Sequence, residues 1–118
     1  DPESLEVNNN LGNVYLHSKL YEDAIKHYKK AISKKPNATL MRYNLAIAYI
    51  ESGNDDDAVK TLEELIKIDS GYADAYYQLG NVFFKQGKPD EAKGYFRALL
   101  DIAPDYEKRG EVENFLNG

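Results

Sequence analysis

Apolar positions along this chain recur in stripes of helical period. Tyr76, Leu79, Gly80 and Phe83 form one, and Ala92, Tyr95, Phe96 and Leu99 the next, each at i, i+3, i+4, i+7 spacing that gathers them on one face of an α-helix. Between them lies KQGKPDE, residues 85–91. Gly87 there suits the left-handed conformation that ends a helix, Pro89 suits the first turn of the next, and Asp90 and Glu91 place negative charge where the backbone dipole favours it. ESGNDDD, residues 51–57, repeats the arrangement around Gly53, and Pro36 and Pro104 halt a second helix in their segments. The pattern predicts helical hairpins and no strands.

The hairpins are copies of one another. Leu11-Gly12, Leu45-Ala46 and Leu79-Gly80 recur at intervals of 34, as do Tyr15, Tyr49 and Phe83, then Ala24, Ala58 and Ala92. Tyr28, Leu62 and Phe96 keep the same interval, followed by Ala31, Leu65 and Leu99. Small residues at Gly12, Ala46 and Gly80 and at Ala24, Ala58 and Ala92 let paired backbones approach closely, so a bulky residue at Ala58 should overpack the contact at a cost of about 1–3 kcal/mol.

With these registers the sequence resembles the tetratricopeptide repeat family, whose unit runs Leu-Gly, a following aromatic, Ala-x-x-x-aromatic and then Pro over 34 residues. Three units fit, at about 5–38, 39–72 and 73–106, within a single domain spanning 1–118. The chain departs from the pattern in places. The aromatic three residues before the Leu-Gly pair is Asn8 in the first unit and Arg42 in the second, Lys19 stands where the other units have glycine, and Leu62 lacks the expected aromatic. The tail carries Val112, Phe115 and Leu116 as one apolar stripe, and is expected to form a capping helix over about 107–117 that covers Tyr95, Leu99 and Ile102.

The resemblance implies an all-α fold: a right-handed superhelix, or α-solenoid, of three helix-turn-helix hairpins whose first helices line a concave surface that binds an extended peptide or a partner's helix. Carried over, the inward positions are Glu6, Asn9, Asn10, Asn13, Leu16 and His17, then Leu40, Tyr43, Asn44, Ile47, Ile50 and Glu51, then Asp74, Tyr77, Gln78, Asn81, Phe84 and Lys85. This answers a puzzle in VNNNLGNVYL, residues 7–16, where each asparagine disfavours helix by roughly 0.7 kcal/mol relative to alanine. An amide on a groove both donates to a peptide carbonyl and accepts from a peptide N–H. The candidate peptide-binding set is Asn9, Asn13, Tyr43, Asn44, Ile47, Tyr77, Gln78, Asn81 and Phe84, amides holding backbone and rigid rings taking side chains. The alternative for Asn8 to Asn10 is solvation of an exposed N-terminal turn.

Some relatives clamp the acidic C-terminal tails of chaperones with two lysines, two asparagines and an arginine. Asn13 and Asn44 match the asparagines here, but Asn9 and Asp74 replace the lysines and Gln78 the arginine, so no chaperone-tail binding is expected.

Composition narrows the field further. Fifteen basic against 20 acidic residues give a net charge of -5, which disfavours nucleic acid and anionic membranes as partners. The basic run Lys26, Lys29, Lys30, Lys34 and Lys35 reads as a solvated outer face, with a docking surface for an acidic partner as the alternative. The absence of cysteine excludes disulfides and thiolate metal sites. His17 and His27 have no metal-ligand spacing, residues 54–64 lack the glycine of a calcium loop, and neither a phosphate loop nor a nucleophile elbow occurs, so no enzyme activity, cofactor or metal is expected. Asn37-Ala38-Thr39 is a glycosylation acceptor sequence, relevant only in a eukaryotic secretory setting. No apolar run reaches membrane-spanning length and no signal core opens the chain, so a cytoplasmic setting is expected, with the periplasm as the alternative. The start at Asp1 without methionine suggests a piece of a longer parent. The expected role is thus a protein-protein interaction scaffold, monomeric or weakly self-associating. The alternatives are a stacking element in a longer array or the recruiting domain of a larger enzyme.

Overall fold

The computed structural model describes residues 4–118, so Asp1 to Glu3, where the domain is expected to begin, lie outside the described residues. Among the described residues there are seven helices and no strand: α1 (Leu5–His17), α2 (Tyr21–Lys34), α3 (Thr39–Glu51), α4 (Asp55–Ile68), α5 (Ala73–Lys85), α6 (Pro89–Ile102) and α7 (Arg109–Asn117). The protein is an all-α helical repeat. The chain divides into two compact units, Asp1–Ile68 and Asp69–Gly118, the division falling close to the junction of the second and third repeats.

In the first unit α1 begins at Ser4, whose side chain accepts from the Val7 N–H at 3.1 Å, satisfying one of the donors that a helix start leaves unpaired. Gly12 then passes so close to α2 that a Cβ there would stand 2.5 Å from Cε1 of the buried Tyr28 ring. The turn to α2 is closed by Leu20 N–H donating to Tyr15 C=O at 2.8 Å, and the turn from α3 to α4 by Asn54 N–H donating to Tyr49 C=O at 2.8 Å. The second turn uses Gly53 at φ 82°, whereas the first places Lys19 at φ 61°, a conformation that costs a side-chain-bearing residue roughly 1–2 kcal/mol. The hairpins join through α2 and α3, where Ala24, Tyr28, Leu45, Ala48, Tyr49 and Ala58 form one buried cluster.

In the second unit Gly80 meets Phe96 as Gly12 meets Tyr28, Gly87 takes the turn at φ 76°, and Pro89 opens α6. The core gathers Tyr77, Ala92, Phe96, Leu99 and Val112; fully burying a ring such as Phe96 is worth about 1.5–3 kcal/mol. The tail does form a helix, and of the three residues it is expected to cover, Leu99 shares its buried cluster. Phe115 stacks on Phe96 with centroids 5.0 Å apart, and Val112 is fully buried beside Leu99. Tyr95 instead stacks flat on Phe83 at 5.6 Å, because it is one residue and therefore about 100° around the helix from Phe96, and Ile102 stays 41% exposed in the last turn of α6.

Candidate functional site

In the first unit the structure brings together two of the expected binding amides. Asn44 Nδ2 on α3 donates to Asn9 Oδ1 on α1 at 3.2 Å, so the two first helices are bridged side chain to side chain. One turn along α1, Asn13 Oδ1 accepts from the Tyr28 hydroxyl at 2.5 Å. Burial raises the Tyr28 pKa to about 12, with the Glu51 carboxylate adding in the same direction, so this hydroxyl stays protonated and keeps donating throughout the neutral range. These bonds leave outside them the Asn44 carbonyl and the Asn9 and Asn13 NH2 groups, a set that matches the donors and acceptors of an extended chain. Tyr43 and Ile47 lie half-buried on α3, and Asn10 is exposed.

Asn8 has a different fate from its two neighbours, and the groove and solvation readings both missed it. It is fully buried: its Nδ2 donates to Ser4 C=O at 3.0 Å and its Oδ1 lies 2.9 Å from His27 Nδ1. The His27 ring in turn stacks on Tyr15 at 5.3 Å and 16°. The 34-residue register contained the signal, because Asn8, Tyr15 and His27 stand where the third repeat has Tyr76, Phe83 and Tyr95. There Tyr95 contacts both of the others, lying 6.4 Å from Tyr76 and 5.6 Å from Phe83. The places of Asn8 and His27 hold, in the second repeat, Arg42, paired with Glu64 at 3.0 Å, and Thr61, whose hydroxyl donates to Asp57 C=O.

In the second unit the candidate residues on α5 are less alike. Gln78 and Asn81 are half-buried, while Phe84 is 52% exposed and meets Phe115 edge-on at 4.7 Å. Tyr77 departs from the expected groove role. It is only 6% exposed, its hydroxyl donates to Glu111 Oε1 at 2.7 Å, and Lys108 Nζ sits 4.7 Å from its ring centroid. Glu111 follows Tyr77 by 34 residues, so α7 packs against α5 from the register position of a further first helix and takes up the ring. Asp74 accepts a hydrogen bond from the Tyr106 hydroxyl.

No group of three or more His, Asp or Glu side chains able to hold a metal occurs among the described residues, and none of their helices is long and apolar enough to cross a membrane. Lys29, within the basic run of α2, lies with its Nζ 5.9 Å from the Tyr49 ring centroid.

A sequence model described as tetratricopeptide repeat matches residues 6–38 and 73–106, and a second, described as TPR repeat, matches residues 48–87. No curated protein matches significantly. Among solved structures, the chain is similar to the first TPR of Spaghetti (RPAP3) bound to the HSP90 peptide SRMEEVD, at 25% identity over 98% of this chain and 92% of that one, with a TM-score of 0.84. MamA is similar at 27% identity over 99% and 77% of the two chains, TM-score 0.83. The TPR domain of Arabidopsis OM64, 24% identical over 96% and 93%, shares the fold with a TM-score of 0.86.

Proposed function

Because this chain belongs to the tetratricopeptide repeat family, we propose that it is a non-catalytic interaction scaffold whose first helices receive an extended segment of a partner protein through asparagine amides and flanking rings. The observation that carries the proposal is the Asn9–Asn44 bond. It holds two side-chain amides in fixed orientation on neighbouring first helices, so little rotamer freedom remains to be lost when a peptide backbone binds them. In the first unit the contact set is Asn9, Asn13, Tyr43, Asn44 and Ile47; in the second it is Gln78, Asn81 and Phe84, Tyr77 being covered by α7. Phe84 supplies exposed apolar area for a ligand side chain.

A relative of the same fold, the first TPR of Spaghetti, is bound to a peptide, which supports an extended peptide as the class of ligand. Free C-terminal carboxylates of chaperone tails fit these residues poorly, because Asn9 carries no charge and Asp74 carries the wrong one.

Panning a pool of diverse peptides against the domain, with the Asn44→Ala/Asn81→Ala double variant as control, tests the proposal. Enriched peptides should lose at least about 1 kcal/mol of affinity for the variant, the worth of a hydrogen bond or two, while its helical content stays unchanged. Equal affinity for a folded double variant would retire the amide groove.

A further inference from the structure

Glu91, Gly94, Tyr95 and Ala98 stand at i, i+3, i+4, i+7 on one face of α6 and, with Tyr76 of α5, line a notch of about 280 Å³ in the second unit. The Tyr76 and Tyr95 rings are 6.4 Å apart and inclined at 55°, and the Tyr76 hydroxyl donates to Ser70 C=O at 2.8 Å. The 34-residue register shows what opens the notch. Gly94 corresponds to Lys60 and Lys26 of the earlier repeats, and Ala98 to Glu64 and Lys30, so the third repeat alone has small residues at both places. Gly94 has no packing reason within the hairpin, since nothing lies within 4 Å of where a Cβ would stand. Glycine is also the least favourable residue short of proline in a helix interior. What it does provide is close access to the helix backbone from outside. The opening does not depend on where the chain begins or ends: α7 follows the third repeat, and Lys26 and Lys60 are exposed at the same register although further hairpins follow them.

We propose that this notch receives an arginine side chain of a partner polypeptide, its guanidinium stacked on the tyrosine rings and paired with Glu91. Tyrosine faces attract a cation, and a guanidinium, planar and more weakly hydrated than an ammonium, both stacks on a ring and offers a carboxylate two parallel N–H donors. An apolar side chain would fill the same space but set the Glu91 carboxylate against apolar surface. The second repeat shows that a guanidinium fits this place: Arg42, the counterpart of Tyr76, pairs with Glu64, the counterpart of Ala98, at 3.0 Å. In the third repeat the carboxylate, the rings and the room are present, and the guanidinium comes from outside. The volume stands at the foot of the roughly 300–1,000 Å³ range of small-molecule sites, which suits a single side chain. Gln78, Asn81 and Phe84 do not line the notch, so it is independent of the amide groove.

Capped Gly-Gly-Xaa-Gly-Gly peptides with arginine, citrulline or leucine at the centre, titrated into the full chain and followed by amide NMR shifts, test the proposal. The arginine peptide should shift Gly94, Tyr95 and Ala98 saturably, and should bind at least about fivefold more tightly than its neutral citrulline and leucine counterparts. Gly94→Lys installs the residue that the other two repeats carry, so the variant should keep its helical content while the arginine peptide binds at least about tenfold more weakly. Glu91→Gln should reduce the preference for arginine over citrulline, and Asn44→Ala/Asn81→Ala should leave arginine binding unchanged. Shifts elsewhere than the notch, equal binding of the leucine peptide, undiminished binding to a folded Gly94→Lys protein, or loss of binding in the asparagine double variant would each overturn the proposal.

Discussion

His27 Nδ1 lies 2.9 Å from Asn8 Oδ1, and this pair takes in the first repeat the place of the Tyr95–Tyr76 ring contact in the third. A helix interior that disfavours asparagine nevertheless holds a fully buried one, because its amide is bonded at both ends, to Ser4 C=O and to the imidazole. Removing one partner leaves the other unsatisfied. Asn8→Ala should therefore lower stability by about 1–3 kcal/mol in urea unfolding, and by at least about 0.5 kcal/mol less when His27 is already alanine. Strict additivity of the two substitutions would show that the pair contributes nothing.

Two glycines in helices should respond oppositely to alanine. At Gly94 nothing lies within 4 Å of where a Cβ would stand, so Gly94→Ala should gain most of the helix-propensity difference and stabilise by about 0.5–1 kcal/mol. At Gly12 the same gain is outweighed, because the Cβ would press on the edge of a ring that is fully buried and has nowhere to go. Overpacking of about 1–3 kcal/mol should make Gly12→Ala a net loss. Chemical denaturation of both variants decides the point, and a stabilised Gly12→Ala protein would show that the hairpin is looser than the Tyr28 contact implies.

Tyr28 makes stability fall in alkali. Its pKa rises from the ordinary 10 to about 12 on folding, so the unfolded chain releases the proton first and the folded state loses ground as pH climbs through that interval. Below pH 10 the contribution is fully present; by pH 11 roughly 1.4 kcal/mol of it should be gone. Comparing urea midpoints of the natural chain and Tyr28→Phe from pH 9 to pH 11 cancels the other titrating groups. A difference between the two that stays constant over this range would mean that Tyr28 is not held neutral by its surroundings.

The repeat positions that carry the fold were legible because each has one steric job. Gly12 and Gly80 admit a ring, Gly53 and Gly87 take a positive φ, and the interval of 34 makes each visible against its counterparts. Lys19 shows that the turn geometry is imposed by the hairpin and not by glycine alone, since it adopts the same region. What single-helix patterning missed was pairwise. Asn8 looked like its neighbours Asn9 and Asn10 until His27 was placed opposite it, and Tyr77 looked like a groove residue until α7 supplied Glu111 and Lys108. The binding amides fall between these cases. Their face followed from the register, but the Asn9–Asn44 bond and the Tyr28 hydroxyl on Asn13 required knowing which helices meet.

The charges on the first helices bear on which peptides can bind. At the positions where some relatives place cations, Asn9 is neutral and bonded to Asn44, and Asp74 is an exposed acid that already accepts a hydrogen bond from Tyr106. A terminal carboxylate would find no cation at either place, in a chain whose net charge of -5 also opposes it. The peptide SRMEEVD, bound by a relative of 25% identity, is the informative probe. Titrated as the free acid and as the C-terminal amide, it should show no preference for the acid, and Asp74→Lys should create one. A tenfold preference for the free acid in the natural chain, about 1.4 kcal/mol, would mean that neutral amides alone can hold a carboxylate here, and the expected exclusion of such tails would fail.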